Sequence, residues 1–309
     1  VATPYVTPDM IVNAPTGISW NIIPFPKATS SQQVAEQMNM CVRATGIVDS
    51  YCNQILQATV DTEVLNGPDY RLTIQNSTGN ARLLLSRWPV TEVLQLAVAG
   101  NTFPRQWQVV PSDMYEVERP PIGIYGTTTP SSAADGGQPV LLGAGYVTRW
   151  LGRQGYTTST TYNNGWPHTS LTTPAEALAT TVTVDDVTAF TGAMAFIYDG
   201  SQTETVTVQS VSANTPFPLP FGGTTPAGPG TLTLTEPLQY DHASGVVLSS
   251  LPGDIMWATI LATTVQALEA GITAVTVQNL PGSQTTGGMG ILSLQKEYQQ
   301  ILGPYRRVI

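Results

Sequence analysis

Charge is what this sequence has least of. Only 11% of its 309 residues are Asp, Glu, Lys or Arg, against about 25% in a typical soluble domain. Such a deficit implies that much of the surface meets something other than water. Lys and Arg are missing altogether from residues 154 to 295, which hold nine Asp or Glu. A stretch that long without a cation cannot grip a phosphate backbone by ordinary basic-patch chemistry. No apolar run reaches the roughly 18 residues of a membrane helix, and no membrane partner is expected. The start, Val1-Ala2-Thr3-Pro4, has neither the basic nor the apolar region of a signal peptide, so no leader is expected. Two cysteines are too few for a disulfide scaffold. Cys41 and Cys52 belong to no CxxC or Cys/His cluster, which disfavours zinc. On one helix they would stand about 16 Å apart along the axis, beyond the roughly 7 Å between Cα atoms that a disulfide spans. Buried free thiols are the expectation.

What is present is turn-rich and apolar: 28 Gly, 24 Pro and 41% hydrophobic residues. Residues 1–30 are broken by Pro4, Pro8, Pro15, Pro24 and Pro26 and read as extended. Ser30 and Gln33 have the spacing of a capping box, and a helix is expected over Ser31 to Leu56. Val34, Met38, Cys41, Thr45, Val48, Cys52 and Ile55 recur every three or four residues, the spacing of one packing face. From about Thr62 the period becomes two, with Asn66-Gly67-Pro68-Asp69 as a turn and strands around Tyr70–Ile74, Arg82–Val90 and Glu92–Val98. A Gly/Pro-rich loop over 120–137 precedes a strand from Val140 to Trp150. Residues 31–153 thus hold the first helix and a first β section, and residues 154–250 an acidic β-rich module. In that module Thr180–Val184, Ala193–Tyr198, Glu204–Val211 and Gly230–Leu234 read as strands, and Asn214 to Pro229 as a mobile arm. Residues 251–309 revert to helix: Pro252 and Asp254 suit a first turn and Gly271 a C-terminal stop. Ile255 to Ala270 is apolar on nearly every side, as a buried helix is. A short strand (Ala274–Gln278), a Gly-rich linker (Gly282–Gly290), a last helix near Leu292–Leu302 and a tail follow.

Residues able to do chemistry are few. His168 and His242 are the two histidines; neither lies in nucleophile-elbow spacing, and hydrogen-bonded structural imidazoles are expected. Asp185, Asp186, Asp199 and Glu204 sit on turns of the acidic module without the order of a calcium loop. As carboxylate pairs they could be drawn as a glycoside site, but solvated turn carboxylates are the expectation. Phe190, Phe196 and Tyr198 read as core rather than as sugar platforms. The glycines of 282–290 lack the Lys-Ser/Thr of a phosphate loop. No cofactor, metal or catalytic set is expected.

An ordered set of segments carries a resemblance. It comprises Val42-Arg43-Ala44-Thr45-Gly46-Ile47-Val48-Asp49-Ser50-Tyr51-Cys52, Asn66-Gly67-Pro68-Asp69, Arg87-Trp88-Pro89-Val90 and Gly165-Trp166-Pro167-His168. Thr183-Val184-Asp185-Asp186-Val187-Thr188 and the Ala/Thr helix at 255–270 complete it. In this order the chain resembles the head-to-tail adaptor (connector) proteins of long-tailed bacteriophages. The resemblance implies an α+β fold, a helical core (N-terminal helix plus buried C-terminal helix) with large β-rich insertions. It implies a structural, non-enzymatic virion protein at the neck, assembled in the host cytoplasm as a homo-oligomeric ring, a dodecamer. The implied partners are the portal protein, a downstream neck, stopper or tail protein, and genomic DNA passing through the lumen without specific binding. By that analogy the C-terminal segment, Tyr305, Arg306, Arg307, Val308 and Ile309, meets the portal. Two other readings stand beside it: a virion-surface carbohydrate-binding or decoration protein acting through residues 154–250, and a glycoside-active enzyme.

Overall fold

Thr7 caps the first helix, α1 (Pro8–Asn13), by accepting from the Met10 N–H, and proline occupies the first turn. The computed structural model describes residues 3–23, 28–66, 72–74, 81–100, 104–117, 138–142, 156–270 and 287–307. The expected turn at 67–69, the loop at 120–137, the strand at 274–278, Gly271 and Val308-Ile309 lie outside them. The second helix, α2, is Ser30–Cys52. Its capping box is Thr29 with Gln32, one residue earlier than Ser30 and Gln33. Asn53 stops it in the left-handed region at φ 54°.

The strands follow in two groups. The first holds β1 (Thr59–Asn66), β2 (Leu72–Ile74), β3 (Ala81–Leu85), β4 (Val90–Gly100), β5 (Gln108–Val109), β6 (Tyr115–Val117), β7 (Gln138–Leu142) and β8 (Tyr156–Asn164). These make two antiparallel sheets, β1-β8-β4-β5 and β2-β3-β7-β6. Leu65, Leu83, Leu85, Leu96, Val98 and Tyr162 bury a common core with Val90 and Val110. The central strand β8 pairs with β1 and β4 over nearly its whole length, so the first sheet reaches across residue 154.

The second group holds β9 (His168–Ser170), β10 (Thr181–Val184), β11 (Met194–Tyr198), β12 (Glu204–Ala213), β13 (Phe217–Pro218), β14 (Thr224–Thr225), β15 (Gly230–Leu234) and β16 (Val247–Ser249). Six of them form one antiparallel sheet in the order β10-β15-β12-β11-β16-β9. A bridge between Leu171 and Val184 joins its two ends, curling the sheet around Phe190, Ile197, Val208, Leu232 and their neighbours. Strand alternation explains the core: in Gly230–Leu234 the residues Leu232 and Leu234 point inward and the threonines between them do not. The expected mobile arm at 214–229 contains the β13–β14 hairpin, and it lies on β4. Both ends of the Gln95 amide hold it, Nε2 donating to Gly222 O and Oε1 accepting from Phe221 N.

The chain then returns to helix in α3 (Gly253–Glu269) and α4 (Gly287–Leu302). From Ile255 to Ala267 only Trp257 and Gln266 of α3 escape full burial. Thr259, Thr263 and Thr264 satisfy their hydroxyls on carbonyls four residues back, which lets a polar helix sit inside. The two helices pack on α2 and on the N-terminal segment, where Tyr5, Val6 and Ile11 are buried. Gly165, at φ +84°, lets the first sheet meet this helical layer, since a Cβ there would lie 2.5 Å from Gln57 O. Trp166 N donates to Leu56 O beside it.

The expectation of a helical core with β-rich insertions is overturned. The described chain is mostly β-sheet, in four sheets, with a few short helices forming one layer. The strand groups are not appendages of that layer, because each buries a core of its own. That expectation comes from the resemblance, and the segments that carry it do not report how the strands between them bury their own cores.

Candidate functional site

Four places hold the residues singled out in the sequence: the tail, the surface of α2, the buried network of His168 and the carboxylate turns of the second strand group. Tyr305 is buried within its own chain. Its ring stacks on Trp88 at 6.0 Å and meets Trp166 edge-on at 5.6 Å, and it is buried in the helical layer. The hydroxyl donates to Asp254 Oδ2 at 2.7 Å, its carbonyl accepts from Gln54 Nε2, and the Arg307 N–H donates to Cys52 O. Burial, with Asp254 beside it, holds the phenol well above its ordinary pKa. An aromatic side chain with this much internal area to cover is drawn inward. Tyr305 therefore leaves the expected interface. Arg306 is exposed, its guanidinium 5.6 Å above the Tyr51 ring, and Arg307 is half-buried.

The packing face of α2 is Gln37, Met40, Cys41, Ala44, Thr45, Val48 and Cys52. Cys41, Thr45, Val48 and Cys52 belong to the expected set; Val34 (52% exposed), Met38 (36%) and Ile55 (41%) do not pack there. The covered stripe is rotated because polar residues are recruited into it. Gln37 Nε2 donates to Trp20 O, and Thr45 Oγ1 accepts from Tyr5 N while donating to Cys41 O. Ile55 lies beyond the Asn53 cap and off the helical spiral. Burial pushes both cysteine thiols up to about 12, and both are free.

What the rotation leaves outside is the main surface feature. Val34, Met38 and Val42 (39%) form one flank of α2, four residues apart. Ile47 (38%) is nine residues from Met38, hence about 180° around the helix. On its side a shallow groove of about 670 Å³ is lined by Arg43, Gly46, Ile47, Tyr51, Gln266 and Tyr298. Val42 and Ile47 were not singled out in the sequence. Their signal was there: apolar side chains away from the periodic stripe.

The two histidines sit in different networks. His168 is fully buried, with Nε2 3.0 Å from Pro4 O and Nδ1 2.8 Å from Ser249 Oγ. A carbonyl only accepts, so Nε2 carries the hydrogen and Nδ1 accepts from the serine. Burial lowers its pKa to about 4. The edge of the Tyr5 ring lies against it at 5.5 Å. Tyr5 in turn donates its hydroxyl to Asp49 Oδ1 and accepts from the N–H groups of Leu56 and Gln57. Burial raises Asp49 to about 6.

His242 is clamped between carboxylates, Nδ1 2.9 Å from Asp199 Oδ2 and Nε2 2.8 Å from Glu204 Oε1. Neither nitrogen is left for a hydroxyl nucleophile. Glu204 also accepts from the N–H groups of Gln239 and Tyr240, tying β12 to the segment before β16. Asp186 Oδ1 accepts from Thr188 and from Gly228 N, and Asp185 accepts from Ser170. These carboxylates staple turns, and the structure brings only Asp199 and Glu204 to one group. Among the described residues no set of His, Cys, Asp and Glu is arranged to hold a metal. Phe190 is core, but Phe196 is exposed on β11 with the Tyr198 ring 5.9 Å away. Among the described residues no helix is long and apolar enough to cross a membrane.

No family model, no curated protein and no solved structure matches this chain.

Proposed function

We propose that this protein is a ring-forming head-to-tail adaptor at the neck of a long-tailed bacteriophage. It docks on the portal and joins the head to the next neck or tail component while DNA passes through. The observation that carries this reading is the pair of apolar flanks on opposite sides of α2, Val34-Met38-Val42 and Ile47 with its groove. Each subunit of a closed ring needs two different surfaces, one for each neighbour, and apolar side chains are what such surfaces bury. The cation-free stretch from 154 to 295 suits a wall past which DNA slides without being held. With Tyr305 used internally, portal docking falls to Arg306, Arg307 and residues 308–309.

Mass measurement of the purified protein, alone and mixed with its phage's portal ring, tests this. Closed rings, free or formed on the portal, are expected; a monomer indifferent to the portal contradicts the proposal. Arg306→Ala with Arg307→Ala is expected to weaken portal binding while leaving the fold intact, because Tyr305 and the Arg307 backbone N–H that donates to Cys52 O are retained. A second reading, glycan binding by the second strand group, is favoured by the exposed Phe196 with Tyr198 beside it. Phe196→Ala would abolish retention on immobilised glycans under that reading and leave ring mass unchanged.

A further inference from the structure

We propose that the Asp199–His242 contact is a proton-operated latch on the second strand group. It is closed while both nitrogens of His242 carry hydrogen and released when Nδ1 loses its own. The His242 side chain is fully buried between two carboxylates, one on each ring nitrogen. Glu204 Oε1 lies 2.8 Å from Nε2 and also accepts from the N–H groups of Gln239 and Tyr240. An oxygen that already receives two N–H groups is an acceptor, so Nε2 carries hydrogen. On the other side Asp199 Oδ2 lies 2.9 Å from Nδ1. Its carboxylate reaches solvent, with 27% of the side chain exposed, and it too only accepts. A neutral imidazole has a single N–H. Both contacts are hydrogen bonds only in the doubly protonated ring.

The two sides of the clamp differ in what else holds them. Glu204 is buried and keeps its backbone donors whatever the ring does. The Asp199 carboxylate has His242 as its one partner among the described residues. Asp199 also opens the exposed turn between β11 and β12, where its N–H donates to Thr203 Oγ1 and its carbonyl accepts from Gln202 N. Once Nδ1 is bare, two acceptors face each other across that contact, and the repulsion falls on the turn. The other charged groups here add to it. Asp241, whose Oδ1 accepts from Ala177 N, and Glu176 line the same cleft of about 690 Å³ with Asp199 and His242. Residues 154 to 295 supply no Lys or Arg, and His168 is engaged with Pro4 O and Ser249. His242 is therefore the one side chain here able to offset these carboxylates, and like charges left together repel. As pH rises through the His242 step, the turn at 199–203 lets go of the ring and the cleft widens. The latch does not depend on ring formation.

Hydrogen exchange of the whole protein, read by mass spectrometry from about pH 5 to 9, tests the proposal. Deuteration of the imidazole carbon between the two nitrogens reports the step at which His242 loses hydrogen, and amide exchange reports the turn. With the intrinsic pH dependence of amide exchange divided out, residues 199–203 are expected to lose at least about tenfold in protection through that step. The amides of β15 are expected to keep theirs. An amide side chain offers Nδ1 either its oxygen or its NH2, so Asp199→Asn is expected to hold the turn protected across the whole range. Protection of the turn that stays constant in the unmodified protein, or falls at a pH other than the His242 step, overturns the latch. So does an Asp199→Asn turn that loosens.

Discussion

The helical layer and the curled second sheet solve the burial problem in opposite ways. The helical layer gathers its core from both ends of the described chain, from Tyr5 and Val6 through α2 to Leu302 and Tyr305. The curled sheet takes its core from one continuous stretch, Leu171 to Leu248. Contacts between distant segments carry a larger loop-closure cost than contacts made within one segment. The second sheet is therefore built to fold on its own, whereas the layer closes only when the last residues return to the first helix. Polar links reinforce that closure, Gln54 to Tyr305 O and Tyr305 to Asp254.

The sharpest way to break this contrast is Tyr305→Ala. It empties a buried ring site between Trp88 and Trp166 and is expected to lower the stability of the helical layer by about 3–5 kcal/mol. Hydrogen exchange would show α2 and α3 losing protection while β11, β12 and β15 keep theirs. Leu232→Ala is the reciprocal experiment. At about 2–5 kcal/mol it should weaken the curled sheet and spare α2 and α3. One shared loss of protection in both variants would show that the two regions are a single cooperative unit. Gln54→Ala removes the donor from the buried Tyr305 carbonyl and is expected to cost about 1–3 kcal/mol, confined to the helical layer and read by the same exchange.

The pH-dependent effect is the most specific. Asp49 is raised to about 6 by burial, so between its ordinary value and pH 6 the folded state holds a proton that the unfolded chain has released. Its contribution favours folding in acid and is lost as pH rises through 6. His168 is lowered to about 4, so its contribution is lost as pH falls from 6.5 towards 4. The two slopes oppose each other across one window, on either side of Tyr5. Asp49→Asn keeps an acceptor for the Tyr5 hydroxyl and removes one slope. Relative to the unmodified protein its melting temperature should rise at pH 7 and lose that advantage by pH 4. An unchanged difference across this range would contradict the assignment.

Much of the secondary structure was legible because periodicity reports it directly. The helix at 30–52, the helix at 253–269 and the strands at 181–184, 194–198 and 230–234 lie within a few residues of where spacing puts them. What spacing could not report was how elements combine. Nothing in Tyr156–Asn164 says that this Thr-rich strand lies between β1 and β4, because its partners are 56 to 105 positions away. Nor does the apolar series on α2 say which part is covered. Gln37 looks like a surface residue until Trp20 supplies its partner. Tyr305 was placed in the portal-facing tail by analogy, but its pocket is made by Trp88 and Trp166 of its own chain.

The central claim is that the two flanks of α2 meet each other's counterparts on neighbouring subunits. The most direct test mixes two variants, Met38→Asp and Ile47→Asp, and measures mass in solution. Each variant alone should be a monomer, since every junction would include one spoiled flank. Together they should form a one-to-one heterodimer through the single junction in which both flanks are intact, and go no further. Rings that persist in either variant, or a mixture that stays monomeric, would contradict the account.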